Sequence, residues 1–291
     1  MLDDEATAGP KFTGNIPAAR EPGAAHGGIM SPQRAQNPGG TLLQLRDVTF
    51  SIGAQVILEN IDLEIGKGEF VCVVGVSGCG KTTMLRLLAG LLTPTKGAAY
   101  YRGAAVSGPQ RDIALVFQDY VKALLPWRNA AGNVALALEP TGVPRRVRAA
   151  RIEALLRKVG LEGHATKFPG EMSGGMQQRL QIARCLAQDP AVLLMDEPFG
   201  ALDAMTRQGL QDEILSIVAL SGATGFFVTH DIEEAIYLAD RVIGLLPRPG
   251  RIGTSFTINL PRPRDQLTTR EHPEFLRLRR ELLDFVKAHE A

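Results

Sequence analysis

Residues 75–82, Gly-Val-Ser-Gly-Cys-Gly-Lys-Thr, have types and spacing that suit the binding of a polyphosphate. They fit the pattern G-x-x-x-x-G-K-[ST], in which glycines let backbone N–H groups turn toward phosphate oxygens. Lys81 would place an ammonium group on the β- and γ-phosphates, and the Thr82 hydroxyl can ligate Mg²⁺. Because the pattern lies between an apolar run and a helical one, we favour an ATP and Mg²⁺ site over a glycine-rich turn without a ligand. The predicted nucleotide-binding residues are Gly75, Val76, Ser77, Gly78, Cys79, Gly80, Lys81, Thr82 and Thr83.

A pair of carboxylates, Asp196 and Glu197, follows the apolar run 191–195. Ligands of parallel α/β sheets lie at the C-terminal ends of the strands, so this position suits metal and water chemistry. Asp196 is predicted to hold Mg²⁺, and Glu197 to orient and polarise the attacking water as a general base. The alternative, two solvated acids at a strand end, accounts less well for their occurrence together with a phosphate loop.

Two more polar residues follow apolar runs, His230 after 225–229 and Gln118 after 113–117. Each would emerge at the same sheet edge as the carboxylates. His230 is predicted to hydrogen-bond the γ-phosphate or the attacking water, and the Gln118 amide to reach Mg²⁺ and that water. A single histidine or glutamine after a strand is also commonly an ordinary polar residue, and the pattern alone leaves that alternative open.

The elements that must position these residues alternate between strand and helix. Residues 70–74 form a short continuous apolar run, typical of a buried parallel strand, and residues 82–92 carry leucines at helical spacing. The alternation predicts an α/β core with a helical insertion. The remaining predicted elements are short strands between residues 43 and 65, mostly helix over 121–187 with its clearest parts at 145–159 and 176–187, and an amphipathic helix over 274–289.

Composition and charge narrow the class of protein. The 291 residues carry 32 Lys and Arg against 31 Asp and Glu, and a net charge of +1 gives no electrostatic case for a nucleic-acid partner. The three cysteines form neither a disulfide framework nor a metal-ligand pattern, which fits a reducing, cytosolic setting. There is no secretory signal and no apolar run of the roughly 18 to 20 residues that span a bilayer. Residues 1–40, rich in Gly, Ala and Pro, are predicted to form a disordered tail.

Residues 173–179, Ser-Gly-Gly-Met-Gln-Gln-Arg, resemble the signature motif of the ATP-binding-cassette (ABC) ATPases. The other motifs of that family follow its order along the chain: the phosphate loop, VFQD at 116–119, LLMDEP at 193–198, ALD at 201–203 and THD at 229–231. The resemblance covers about residues 41–255. It implies an α/β P-loop cassette with a RecA-like mixed-sheet core, an antiparallel β subdomain and an inserted α-helical subdomain. The implied bounds are an ABC ATPase domain over 41–265, with its helical subdomain over about 121–187, and a C-terminal helical extension over 266–291.

Several segments are closer to one importer group of the family, the nitrate, sulfonate and taurine transporters. They are LLPWR at 124–128, DEPFGALDA at 196–204, VTHDIEEA at 228–235 and PRPGRI at 247–252. This resemblance implies an ATP-hydrolysing subunit that works with an integral membrane permease and, indirectly, a solute-binding protein. Its expected place is the cytoplasmic face of the plasma membrane, where the permease would hold it.

The signature residues are implied to act on the nucleotide held by a second copy of the chain. Ser173 and the Gly175 N–H would contact the γ-phosphate in that copy, with Gly174 and Gln177 beside them. A serine hydroxyl and glycines at a helix N-terminus form an anion site, and a helix cap alone would explain Ser173 but not the glycines. Two head-to-tail copies would complete two sites, so we expect a homodimer. The loop implied to lie at the dimer contact comprises Ala201, Leu202 and Asp203.

Two positions depart from the family pattern. Where an aromatic residue usually stacks on adenine, this chain has Ile52, with Phe50 two residues earlier, and the adenine side is assigned to this pair. Loose base selectivity is therefore expected. Met172 opens the signature where leucine is usual, which should be a mild change because the side-chain volumes are similar.

A transport motor is the first of three hypotheses for function. The segment from Gln118 to Trp127 would couple the nucleotide state to the permease, with Leu124, Leu125 and Trp127 as candidate exposed apolar contacts. The alternative for these three side chains is packing inside the helical insertion.

A soluble ABC ATPase that acts on nucleic acid or ribosomes is the second hypothesis. Such proteins usually carry two cassettes or a long coiled coil between phosphate loop and signature, and no sustained heptads lie between Lys81 and Ser173. A catalytically inactive regulatory module is the third. It requires a broken site, whereas Lys81, Glu197 and His230 are all present.

Overall fold

A computed structural model describes residues 40–140, 143–200 and 202–289. These residues belong to one structural unit, Ala35–Ala291. Apart from Gly40, the tail predicted over residues 1–40 lies outside the described residues.

The strands and helices follow one another largely as the sequence pattern predicts. The strands are β1 Thr41–Ile52, β2 Gln55–Gly66, β3 Phe70–Val74, β4 Lys96–Tyr101, β5 Ala104–Ala105, β6 Ile113–Val116, β7 Val192–Asp196, β8 Thr224–Val228, β9 Arg241–Leu246 and β10 Arg251–Thr257. The helices are α1 Lys81–Leu88, α2 Tyr120–Ala123, α3 Ala130–Leu138, α4 Arg145–Lys158, α5 Gly174–Leu186, α6 Ala204–Ser221, α7 Ile232–Leu238, α8 Thr268–Glu271 and α9 Pro273–Lys287, with a 3₁₀ turn at Pro169–Glu171.

A six-stranded sheet in the order β10-β9-β3-β8-β7-β6 forms the centre of the fold. Its strands pair in parallel except for β10, which runs antiparallel to β9. Every residue of β3, β7 and β8 is buried, which explains why their sequences read as continuous apolar runs. The C-terminal ends of β3, β6, β7 and β8 therefore meet at one edge, and the predicted site residues follow these ends.

A four-stranded antiparallel sheet, β2-β1-β4-β5, covers part of this core. The short strands predicted between residues 43 and 65 are wrong in length, since β1 and β2 span 12 residues each and form one hairpin. Register shifts in the pairing of β1 with β2 interrupt the alternation of buried and exposed side chains, although the strands continue. The alternation of apolar residues in the sequence therefore ends before the strand does.

Helix α1 ends earlier than the leucine spacing predicts, at Leu88 instead of residue 92. Gly90 has a φ of 70°, the Leu91 N–H donates to the Arg86 carbonyl, and the Gly90 N–H donates to the Leu87 carbonyl. These bonds form a Schellman C-cap, which satisfies the last carbonyls and turns the chain away.

Helices α2 to α5 lie between β6 and β7, and the two clearest predicted helices correspond to α4 and α5. The C-terminal helix α9 buries Phe275, Leu278 and Leu282 in the main core. A mixed sheet, an antiparallel sheet and a helical insertion confirm the predicted fold class. Within the described part of the chain, no helix combines the length and apolarity needed to cross a bilayer.

Candidate active site

The phosphate loop joins the end of β3 to the start of α1 and wraps the Lys81 side chain. Lys81 is 7% exposed, and its ammonium donates to the carbonyls of Gly75 at 2.8 Å and Val76 at 3.1 Å. Gly80 precedes the helix with a φ of 102°, and a Cβ there would lie 2.5 Å from Leu58 Cδ2. Only glycine fits that position, because both the backbone angle and the space exclude a side chain.

Cys79 is buried within this loop at 1% exposure. Burial raises the pKa of its thiol, although the charge of Lys81 acts in the opposite direction. The protonated, enclosed thiol favours a small packed side chain over a redox-active one. Cys72 and Cys185 are also buried and free, so the three cysteines form no disulfide.

Thr82 and Asp196 meet across the sheet edge. The Thr82 hydroxyl donates to Asp196 Oδ1 at 2.9 Å, which places an oxygen pair next to the phosphate loop. Asp196 is 6% exposed, and burial raises its pKa. The Thr82 hydrogen bond lowers that pKa, while the charge of Glu197 raises it. A hydroxyl and a carboxylate in this setting match the oxygen ligands that Mg²⁺ prefers.

Gln118, Glu197 and His230 converge on one carboxylate oxygen. Gln118 Nε2 donates to Glu197 Oε2 at 3.3 Å, and His230 Nδ1 lies 3.4 Å from the same oxygen. The strands β6, β7 and β8 deliver the three side chains to one edge, as the sequence pattern predicts. Glu197 has a φ of 44°, and its N–H donates to the Val228 carbonyl at 2.9 Å. The next strand thus holds Glu197 in a backbone conformation that is unusual for a residue with a side chain.

The signature segment lies at the N-terminus of α5. Ser173 caps the helix by accepting a hydrogen bond from the Met176 N–H at 3.3 Å. Gln177 donates to the carbonyls of Pro169 and Met172, which fixes the approach to the helix. A cavity of about 340 Å³ opens in front of these residues. It is lined by Ser173, Gly174, Gly175, Met176, Arg179, Leu202, Asp203 and Thr206, none of which belongs to the phosphate loop.

The predicted dimer-contact loop borders the same cavity through Leu202 and Asp203, whereas Ala201 lies outside the described residues. Asp203 caps α6 by accepting from the Thr206 N–H at 3.0 Å. Arg207 donates to the Leu202 carbonyl at 3.1 Å and lies 3.6 Å from Asp231, the residue after His230. This arginine connects the signature side of the molecule with the histidine loop.

The two residues assigned to the adenine side differ in exposure. Phe50, on β1, is 9% exposed and belongs to the core, which leaves little of its surface accessible to a base. Ile52 is 64% exposed at the end of β1 and stays the candidate contact.

In the proposed permease-coupling segment the three apolar side chains differ. Leu124 is 2% exposed and belongs to the core, so for this residue the packing alternative holds. Leu125 is half-buried, while Trp127 is 71% exposed. Trp127 alone therefore presents a large apolar surface for a partner.

Sequence reasoning did not identify the polar cluster behind His230. It contains Gln211, Thr229 and Glu234, which are 1%, 2% and 4% exposed. A small cavity of about 40 Å³ separates part of this cluster from Glu197 and His230. One signal was present in the sequence, since Glu234 falls three residues after the helix cap Asp231 and on the buried face of α7.

Comparisons with known proteins point to the same family as the sequence motifs do. The sequence profile of the ABC transporter family matches residues 58–200. The chain is similar to an uncharacterized ABC transporter ATP-binding protein of Methanocaldococcus jannaschii, at 49% identity over 79% of this chain and 84% of the relative. It is also similar to the nitrate import ATP-binding protein NrtD of Synechococcus elongatus, at 43% identity over 80% of this chain and 86% of that one.

Some relatives are much longer than this chain. The bicarbonate transport ATP-binding protein CmpC of Synechococcus elongatus is 44% identical over 79% of this chain, which spans 35% of that relative. Among solved structures, the dimeric post-hydrolysis ATP-binding cassette MJ0796, bound to ADP and Pi, is similar with a TM-score of 0.68. That match has 32% identity and covers 75% of this chain and 99% of the cassette.

Proposed function

Because the chain belongs to the ABC transporter family of ATP-binding proteins, we propose that it is the ATP-hydrolysing subunit of an importer for a small solute. The observation that carries the proposal is the convergence of Gln118 and His230 on Glu197, beside the Thr82–Asp196 pair and the Lys81 loop. These groups supply a phosphate cradle, a metal ligand pair and a base at one sheet edge, which together are the parts that phosphoryl transfer to water needs.

Glu197 is the proposed general base. Its Oε2 would accept a hydrogen bond from the attacking water and take up the proton as the water oxygen bonds to the γ-phosphorus. The bond from that phosphorus to the β,γ-bridging oxygen breaks in the same reaction, so ADP leaves and inorganic phosphate is formed. His230 and Gln118 hold that carboxylate from two sides, which fixes its direction before the reaction and contributes to a preorganised site. Lys81 would leave the loop carbonyls and move to the phosphate oxygens, since phosphate offers a stronger partner than a neutral carbonyl.

The donor set at Thr82 and Asp196 fits Mg²⁺, with the Gln118 amide oxygen as a further ligand. A bound Mg²⁺ would neutralise charge on the β- and γ-phosphates. The backbone N–H groups of the phosphate loop, from Gly75 to Thr83, would surround the same phosphates.

A second copy of the chain is the proposed source of the remaining contacts. Ser173, Gly174 and Gly175 border an open cavity without a phosphate-loop residue in it, and the helix N-terminus behind them suits an anion. Head-to-tail pairing would bring this cavity over the partner's phosphate loop, with Leu202 and Asp203 at the contact. The solved relative named above is likewise a dimer.

The permease is the proposed membrane partner, contacted through Trp127, and would hold the subunit at the cytoplasmic face of the membrane. A solute-binding protein would act on the other side of the permease. Relatives named for nitrate import and bicarbonate transport support a small solute of the nitrate, sulfonate or taurine kind. The same names favour transport over the alternative of an ATPase that acts on nucleic acid or ribosomes.

The Glu197→Gln variant tests the proposed chemistry. Phosphate release should fall about a hundredfold or more, because a general base contributes at least that factor. ATP binding should persist, and size-exclusion chromatography with ATP should show a more stable dimer. Lys81→Ala is the matched contrast, since it should weaken ATP binding itself. Normal turnover in Glu197→Gln would show that Glu197 is not the general base. Phosphate release by the unchanged protein would exclude the third hypothesis, a catalytically inactive regulatory module.

A further inference from the structure

Two fully buried polar side chains, Gln211 and Glu234, lie outside the proposed reaction centre. Gln211 Nε2 donates to Glu234 Oε1 at 3.0 Å, and the Thr229 hydroxyl donates to Glu234 Oε2 at 2.5 Å. Both carboxylate oxygens are thus engaged. Buried polar groups are costly unless satisfied, so a cluster of this kind points to a requirement for one defined arrangement.

Glu234 fixes the backbone on both sides of His230. Thr229 precedes the histidine, and its hydroxyl oxygen also accepts from the Asp231 N–H at 3.0 Å. Asp231 follows the histidine and accepts from the Glu234 N–H at 3.1 Å, which caps α7. The loop that carries His230 is therefore closed into a ring of hydrogen bonds whose central member is Glu234.

Gln211 extends this ring to the C-terminal segment, residues 266–289. Its Oε1 accepts from Gln266 Nε2 and from Arg270 Nη2, each at 3.3 Å. Arg270 Nη1 also donates to Glu233 Oε2 on α7 at 2.9 Å. The segment is anchored in turn by Phe275 and its neighbours on α9, which are buried in the core. A continuous chain of hydrogen bonds thus runs from the C-terminal segment to the residues that flank His230.

We propose that Gln211 and Glu234 are positioning residues for His230, and that the C-terminal segment fixes them through Gln266 and Arg270. The proposal rests on the proposed role of His230 in hydrolysis. Other charged groups near Glu234 are Asp231 and Arg207, with Glu197 across the small cavity. Asp231 and Glu234 repel each other while Arg207 attracts both, and the hydrogen bonds from Gln211 and Thr229 fix where the Glu234 carboxylate lies among these charges.

The test is a double-mutant cycle with the full chain. Arg270→Ala and Glu234→Gln should each lower kcat for ATP hydrolysis about three- to tenfold, since coupling through such networks has that size. KM for ATP should stay within about twofold, because the phosphate loop is untouched. Arg277→Ala is the matched control. This arginine also lies in the C-terminal segment, but among the residues that the structure describes it pairs only with Glu274 and Glu281 on its own helix, so kcat should not change.

The cycle against His230→Ala decides whether the two residues act through the histidine. In that background neither Arg270→Ala nor Glu234→Gln should lower kcat further, since the group that they position is gone. If Arg270→Ala or Glu234→Gln lowers kcat further in the His230→Ala background, by the same factor as in the unchanged protein, the proposal is overturned. A loss of kcat in Arg277→Ala as large as that in Arg270→Ala would also overturn it. If His230→Ala alone leaves kcat unchanged, the proposed function of the histidine fails, and that result is read from the single variant.

Discussion

The sheet edge and the helical insertion both present a glycine-containing loop at a helix N-terminus, but they differ in what accompanies it. At α1 the loop is packed around Lys81, and Thr82 at its end donates to Asp196, the residue before Glu197. At α5 the loop faces a cavity of about 340 Å³ whose polar side chains are Ser173, Arg179, Asp203 and Thr206. The first combines a lysine, oxygen ligands and a carboxylate that suit a triphosphate, whereas the second offers the Ser173 hydroxyl and the Arg179 guanidinium as donors beside the Asp203 carboxylate. One chain thus carries two unlike halves, which a second copy of the chain would bring together.

Gly175→Leu on the signature side should have the largest effect. A Cβ at Gly175 already meets Leu202 Cδ2 at 3.2 Å and Thr206 Cγ2 at 3.4 Å, so a longer side chain must extend into the cavity. Phosphate release should fall about a hundredfold, as expected when donors to the phosphate are lost. ATP binding by the isolated subunit should persist, because the phosphate loop is intact.

Gly170→Leu is the control for this change. Gly170 lies just before the signature, and a Cβ there meets nothing within 4 Å. Its phosphate release should match that of the unchanged protein. If Gly175→Leu weakened ATP binding by the isolated subunit as strongly as it lowered turnover, the signature would act on the phosphate loop of its own chain, and the two halves would not be separate.

Glu234→Gln probes the sheet-edge side through the pH dependence of stability. Burial is the main cause that raises the pKa of Glu234 from 4.5 to about 7. The Thr229 hydrogen bond lowers this pKa, and the charge of Asp231 raises it. The folded protein then binds this proton more tightly than the unfolded chain does. The contribution to stability is full below about pH 4.5 and is lost as pH rises through about 7.

The unchanged protein should therefore lose about 2–3 kcal/mol of unfolding free energy relative to Glu234→Gln between pH 5 and pH 8. Urea unfolding of both proteins across this range measures the difference, and the other titrating groups cancel in the comparison. Parallel stability curves would show that Glu234 titrates in the folded protein as it does in the unfolded chain.

Trp127→Ala on the insertion side should have the smallest effect on the isolated subunit. With the permease present, solute uptake should fall about two- to tenfold, as for an aromatic interface residue. Basal ATPase activity of the subunit should not change. Leu220→Ala removes another side chain that is largely exposed, at the end of α6, and should alter neither. Equal loss of uptake and basal ATPase in Trp127→Ala would indicate a packing role.

The sequence pattern predicts the sheet edge well because its signals are local. Strand β3 matches the predicted bounds at both ends, and the residues that follow β6, β7 and β8 meet as expected. Each signal is a run of apolar residues with a polar residue at its end, and a parallel sheet makes such ends coincide.

What the pattern does not predict depends on contacts between distant segments. Gln211 reaches Glu234 across 23 residues and Arg270 across 59, so no spacing rule connects them. The end of α1 is set by Gly90, where a Cβ would lie 2.3 Å from the Gly108 carbonyl oxygen, a contact that helical periodicity does not contain. The sequence makes Leu124 and Trp127 equal candidates for an exposed apolar contact. Only the packing of the helical insertion shows that Leu124 is buried and Trp127 exposed.

Cross-linking tests whether the signature of a second copy completes the phosphate loop. One tagged copy would carry Ser77→Cys and one untagged copy Ser173→Cys, both in the Glu197→Gln background; both serines are exposed and the native cysteines are buried. With ATP and a short thiol cross-linker, a covalent dimer of one tagged and one untagged copy should form, and little of it should form without ATP. Absence of that product, while both variants bind ATP and form dimers, would show that the signature of one copy does not lie at the phosphate loop of the other.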